Sequence, residues 1–268
     1  MAGGFQIGFE TDYGTDTDTQ MLFVSNAGAV GAIGSNQSLS AFTGSISETN
    51  VASVVLANGT VAYAWELTGL TTGNSFIWSQ VQSADGTVVI ANDINVDSTG
   101  TINRNPAIVA LSSGGYAIIY EDNEFRDGGL TMATYDASGV FVAKFDISGN
   151  AAALSNPEAV LLDNGMIAIS VSAEAPETGT DSDVLTLVRI IDPATGLQVA
   201  DDYNVIGNTD NDWEYPTQDS AITMLSDGRI VVVHNQFGGS IEGEILQPVR
   251  FTTGDNSSTS LMATYLSM

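Results

Sequence analysis

One hairpin frame recurs along this chain, and that recurrence constrains the fold more than any other feature. The clearest copy runs Asn105-Pro106-Ala107-Ile108-Val109-Ala110-Leu111-Ser112-Ser113-Gly114-Gly115-Tyr116-Ala117-Ile118-Ile119-Tyr120-Glu121, two short apolar strands around a glycine turn. The frame returns as Leu56-Ala57-Asn58-Gly59 followed by a strand over 61–66, and as Leu162-Asp163-Asn164-Gly165 followed by one over 167–172. Leu225-Ser226-Asp227-Gly228 with a strand over 230–235 is a further copy. Asn-Gly and Asp-Gly predict tight hairpin turns whose central residues sit at positive φ.

A fifth copy is divided between the chain ends. Residues 261–268 read as a first strand and the start of a turn, and Gly3-Gly4-Phe5-Gln6-Ile7-Gly8-Phe9-Glu10 as the rest of the turn and a second strand. A second hairpin follows each first one, with turns at Ala27-Gly28, Asp85-Gly86, Asp136-Ala137-Ser138-Gly139 and Asp192-Pro193-Ala194-Thr195-Gly196, and a degenerate version at Thr253-Gly254. Two hairpins per repeat make four strands, the content of one propeller blade. Equivalent glycines recur at roughly 45 to 60 residues, within the range of four-stranded repeats. The expected fold is therefore an all-β, five-bladed β-propeller of four-stranded antiparallel blades in a single domain over 1–268. Its blades are expected near 261–268 with 3–34, 50–95, 105–147, 156–206 and 219–254, the C-terminal strand closing the ring against the N-terminal blade. A β-sandwich is the alternative. No segment sustains a 3.6-residue apolar period, so few helices are expected.

Charge narrows the partners. Six Lys and Arg face 32 Asp and Glu, a net charge of −26. Such a surface repels phosphate backbones and anionic lipid, which argues against nucleic acid and membrane insertion and favours cations or basic partners. The chain has no cysteine, which excludes disulfides, thiol catalysis and cysteine-bound metals. Neither a classical signal peptide nor an apolar run of about 18 residues or more is visible.

The acid-rich segments fall mostly between the second and third strands of each repeat and between repeats, so one face of a propeller built this way is strongly negative. Asp12, Asp16 and Asp18 in one loop, and Asn208, Asp210 and Asp212 in another, have the oxygen-rich composition that suits Ca2+. An aromatic-Glu pair ends the second strand three times, as Phe9-Glu10, Trp65-Glu66 and Tyr120-Glu121, with Val171-Ser172 and His234-Asn235 in the other two copies. Glu66 and Glu121 are candidate ligand-binding residues, and with Glu10 they are candidate carboxylates of a glycosidase funnel. Trp213 and Tyr215, with Phe125 and Arg126, are candidate platforms for a glycan. His234 is the sole histidine, and no nucleophile elbow, phosphate loop or zinc-protease motif accompanies it.

The same 105–121 segment, with Asp127-Gly128-Gly129-Leu130 and Tyr135-Asp136-Ala137-Ser138-Gly139 after it, resembles the propeller-type repeats of large bacterial secreted or surface-attached RTX-like, calcium-associated proteins. That resemblance implies an extracellular or surface-displayed setting and a noncatalytic adhesive or binding role. Joined to the acidic loops, it leads to the expectation of a noncatalytic binding or structural module, not an enzyme, that recognises a glycan or protein and is able to bind Ca2+. The alternatives are a glycoside hydrolase using funnel carboxylates and an architectural component of a surface or particle assembly.

Overall fold

The structure is a computed structural model that describes residues 4–14, 17–25, 37–38, 46–69, 74–84, 86, 89–97, 102–123, 128–149, 153–174, 184–205, 219–235, 241–250 and 259–265. It is all-β, with five antiparallel sheets of sequence-consecutive strands. The first sheet is β1 (Gly4–Asp12), β2 (Thr17–Ser25) and β3 (Gln37–Ser38). The second is β4 (Ser47–Val55), β5 (Val61–Thr68), β6 (Phe76–Gln82) and β7 (Val89–Asn95). The third is β8 (Asn103–Ala110), β9 (Tyr116–Asp122), β10 (Gly129–Tyr135) and β11 (Phe141–Asp146). The fourth is β12 (Leu154–Leu161), β13 (Ile167–Glu174), β14 (Val184–Ile191) and β15 (Tyr203–Val205). The fifth is β16 (Ser220–Met224), β17 (Ile230–Asn235), β18 (Ile241–Arg250) and β19 (Thr259–Tyr265). Strand order follows chain order in every sheet, a meander rather than the Greek key usual in sandwiches.

Burial explains the sequence pattern. All seven residues of β9 and of β10 are buried, and β5 is buried from Val61 through Leu67. Strands covered on both faces read as continuous apolar runs, which is why Tyr116-Ala117-Ile118-Ile119-Tyr120 does not alternate. The last strand of the same sheet, β11, has no buried residue.

The turn chemistry differs in detail from the sequence expectation. In the four first hairpins whose turns are described, the leucine carbonyl accepts from the glycine N–H, as in Gly59 to Leu56 and Gly228 to Leu225, 2.8 and 2.9 Å. The leucine N–H then donates across the loop, Leu56 to Thr60 and Leu225 to Arg229, at 2.8 and 2.7 Å. Only the glycine takes positive φ, 84° at Gly59 and 83° at Gly228. The preceding Asn or Asp stays right-handed and uses its side chain instead: Asn58 Oδ1 accepts the Thr60 N–H at 3.0 Å, and Asn164 Oδ1 that of Met166 at 3.0 Å. This is a longer loop ending in a left-handed glycine, and Asn-Gly serves it through the Asn carbonyl rather than through φ.

The C-terminal strand also departs from expectation. β19 pairs with β18, from Glu244↔Tyr265 to Arg250↔Thr259, and the N-terminal sheet has three strands with β1 at its edge. Ring closure by β19 against the N-terminal blade is thereby corrected. Pairing with the strand just before it closes a loop of a few residues, whereas closure on β1 spans nearly the whole chain, and loop entropy favours the local partner.

The chain divides into two compact units, Met1–Glu124 with Ala133–Ala143, and Phe125–Met132 with Lys144–Met268. In the first, Ala64, Ile77, Val81, Tyr116, Ile118, Tyr120 and Tyr135 form one core, with the Tyr116 and Tyr135 rings stacked at 5.1 Å. A second cluster joins Met21, Tyr63 and Trp65. In the other unit Leu162, Val188, Ile190, Ile230, Val232 and Leu246 form the core.

Candidate functional site

The polar cluster of the first unit is assembled by two β-bulges. Pairing of β4 with β5 slips between Thr49 and Ala52, and pairing of β8 with β9 slips between Arg104 and Ala107. At each bulge stands a left-handed asparagine, Asn50 at φ 57° and Asn105 at φ 51°. Asparagine is among the few L-residues that tolerate this region, and the bulge turns its N–H away from the ladder and aims its side chain anew.

Those freed groups meet the glutamates near the ends of β1, β5 and β9. Asn50 donates its backbone N–H to Glu10 Oε1 at 2.5 Å and its Nδ2 to Glu66 Oε2 at 3.0 Å. Asn105 repeats the motif one sheet later, its N–H reaching Glu66 Oε2 at 3.3 Å and its Nδ2 reaching Glu121 Oε1 at 2.7 Å. Asn50 Nδ2 also donates to Asn105 Oδ1 at 2.9 Å, so the two amides are joined directly. Arg104 closes the series, its Nε donating to Glu121 Oε2 at 2.7 Å.

Burial grades the three carboxylates. Glu66 and Glu121 are buried, 8% and 4% exposed, and Glu10 is exposed. Burial is the main cause of a Glu66 carboxyl pushed above the ordinary range, with repulsion from Glu121 adding to it. The Asn50 amide, the Asn105 N–H and the Arg104 charge pull the other way. Glu121 accepts on both oxygens, from Arg104 Nε and Asn105 Nδ2.

Of the residues singled out from sequence, Glu66 and Glu121 come together here through Asn105, and Glu10 joins through Asn50. Phe125, Arg126, Trp213 and Tyr215 lie outside the described residues. So do Asp16, Asn208, Asp210 and Asp212 of the expected calcium loops. Asp12 Oδ1 accepts the Gly14 N–H at 2.6 Å and shapes the turn after β1, while Asp18 lies on β2 opposite Thr11. Among the described residues no group of three or more His, Cys, Asp or Glu converges as a metal site. His234 is buried, with Nδ1 3.4 Å from the Asn235 carbonyl.

Sequence reasoning missed Asn50, Asn105 and Arg104. A signal for the asparagines exists: Asn50, Asn105, Asn156 and Asp219 each stand nine residues before the turn glycine of their hairpin, Gly59, Gly114, Gly165 and Gly228. Asn156 shares the left-handed bulge, φ 52°, but Ser172 takes the place of glutamate in its hairpin.

No family model matches the chain, and no curated protein matches it. Solved structures do. The α-L-arabinofuranosidase Arb93A from Fusarium graminearum is 13% identical, with 97% of this chain and 77% of that one covered and a TM-score of 0.55. A family 117 glycoside hydrolase from Zobellia galactanivorans is 12% identical over 99% of this chain and 77% of its own, with a TM-score of 0.50. An ulvan lyase of polysaccharide lyase family 25 is 7% identical over 96% and 69%, with a TM-score of 0.52. The fold is propeller-type. At such identities the likeness carries architecture alone. The expectation of a noncatalytic adhesive or structural module that is not an enzyme is corrected by these folds taken together with the geometry of the site. That expectation rested on the acidic loops, the resemblance to surface-protein repeats and the lack of any catalytic constellation. The similar folds are those of glycosidases and a lyase, and in this chain two buried carboxyl groups converge on one asparagine.

Proposed function

We propose that this protein is a carbohydrate-active enzyme that cleaves glycosidic bonds, with Glu66 and Glu121 as its working carboxyl pair. The observation that carries the reading is the shared contact of Asn105 with both groups, one raised by burial and one accepting from a guanidinium and an amide. Glycoside hydrolysis asks for such a division of labour. Glu66, which keeps its proton to higher pH, donates it to the departing glycosidic oxygen. Glu121 supplies the carboxylate that takes a proton from the attacking water or itself attacks the anomeric carbon. Glu10, exposed at the other end of the series, is placed to meet sugar hydroxyls. The activities named for the similar folds make a glycan the natural substrate class.

We also take the five sheets to be the blades of one five-bladed propeller, a reading supported by their uniform meander order and by the Asn-to-Glu contacts that link successive sheets in the first unit. The acidic surface and the resemblance to repeats of surface proteins support an extracellular setting.

The test is a panel of aryl α-L-arabinofuranosides, β-xylosides and soluble polysaccharides assayed for new reducing ends. Turnover that falls by about 10² to 10⁴ in both Glu66→Gln and Glu121→Gln, with melting temperatures near wild type, is the expected result. Turnover indifferent to both substitutions, or no turnover across the panel, would overturn it.

A further inference from the structure

We infer that Asn105 is a positioning residue that ties Glu66 to Glu121, its N–H on one carboxyl and its Nδ2 on the other, and so sets the proton balance of the pair; the inference rests on the pair assigned above. Three contacts meet at this one side chain and its backbone. The N–H donates to Glu66 Oε2, Nδ2 donates to Glu121 Oε1, and Oδ1 accepts from Asn50 Nδ2. Only a primary amide does all of this at once. Aspartate has no donor for Glu121 and adds a third negative charge, and an apolar isostere leaves a buried carboxylate and an amide with one fewer partner.

The backbone is built for the task. The slip between Arg104 and Ala107 removes Asn105 from the ladder, and φ 51° turns its N–H to Glu66 on the neighbouring sheet. The equivalent Asn50 touches Glu66 also, but its other carboxylate is the exposed Glu10, where water competes for the bond. Asn156 has the same conformation, but Ser172 stands in its hairpin where Glu66 and Glu121 stand in theirs. Asn105 is therefore the member of the series that bridges two buried carboxyl groups. Among the described residues, the charged groups that act on Glu66 are Arg104 from β8 and Glu121 from β9, with Glu10 of β1 reached through Asn50.

Asn105→Gly separates the parts. Glycine keeps the left-handed backbone and the N–H to Glu66 but deletes the amide on Glu121, so the fold is spared most of the strain that Asn105→Ala would add. Asn105→Asp keeps the shape and adds charge. The readout is the side-chain carboxyl NMR titration of Glu66 in the full chain, with the pH profile of kcat/KM on any glycoside that the wild type turns over. The Glu66 midpoint is expected to move in Asn105→Gly and to rise in Asn105→Asp, whose added carboxylate repels the ionised form. The matching limb of the rate profile should move with it, and kcat should drop about tenfold or more while KM stays near wild type. Asn156→Gly, at the corresponding bulge of another sheet, should move neither. A Glu66 titration unchanged in Asn105→Gly and Asn105→Asp, or moved equally by Asn156→Gly, would overturn the inference. Because the titration needs no substrate, it decides the positioning role even where the glycosidase reading fails.

Discussion

Arg189 and Asp202 form a two-point ion pair, Nε to Oδ1 at 2.8 Å and Nη2 to Oδ2 at 2.6 Å. The guanidinium side chain is 1% exposed, and its Nη1 donates to the Ile147 carbonyl at 2.6 Å. Asp202→Ala strands a buried cation and is expected to cost about 3–5 kcal/mol. Arg189→Met should cost less, because methionine is at home among apolar neighbours and the Asp202 side chain, 25% exposed, can turn to water. Urea unfolding of the two variants tests the order, and equal losses would contradict it.

Glu66 should leave a signature in stability against pH. Its folded carboxyl is raised above the ordinary value of 4.5, so the native state binds this proton more tightly than the unfolded chain. That contribution is complete below the unfolded value and disappears as pH rises through the folded one. Glu66→Gln removes it. The melting temperature of the variant relative to wild type should therefore increase from pH 4 to pH 7, and a difference that stays flat across that series would count against a raised Glu66.

Two adjacent glycines should respond very differently to alanine. Gly114 sits at φ 93° with open space where a Cβ would go, so Gly114→Ala carries only left-handed strain, about 1–2 kcal/mol. A Cβ on Gly115 would run into the carbonyl oxygen of Tyr135, with Asp136 Cα 3.0 Å away. Gly115→Ala must push two strands apart and is expected to be the more damaging of the pair in urea midpoint.

Four tyrosines should resist alkali. Burial raises the phenols of Tyr63, Tyr120 and Tyr135 well above 10 and that of Tyr116 to about 12. Tyr120 also donates to Asp97 Oδ2 at 2.9 Å, and the nearby carboxylate opposes a second negative charge. Raised phenols stabilise the fold below pH 10, a contribution lost only as pH climbs through the folded values. Tyrosinate absorbance at 295 nm should thus lag for these four until circular dichroism shows unfolding. Ionisation of all eight tyrosines in a folded chain at pH 10 would refute the burial argument.

The sequence carried the strands and turns because those are local. Leu-x-x-Gly at the first hairpins and the apolar run 116–120 each depend on neighbours a few residues away, and the structure places strands and turns there. The glutamates of the site were legible as well, since Glu66 and Glu121 stand at one position of a repeated frame. Their partners were not. Asn105 looks like the ordinary start of a strand, and nothing local says that the β8 to β9 pairing will slip there and send its N–H to one carboxyl and its side-chain amide to another.

Repetition in the sequence determined the all-β fold of this protein, the meander of each sheet and the set of recurring glutamates, because hydrophobic runs and turn residues act over a few positions. Tertiary structure alone decided which edge β19 would take, that Arg189 would be buried with Asp202, and that Glu66 and Glu121 would face one asparagine. Those outcomes depend on loop entropy, desolvation and register between strands far apart in the chain, which local patterns do not encode.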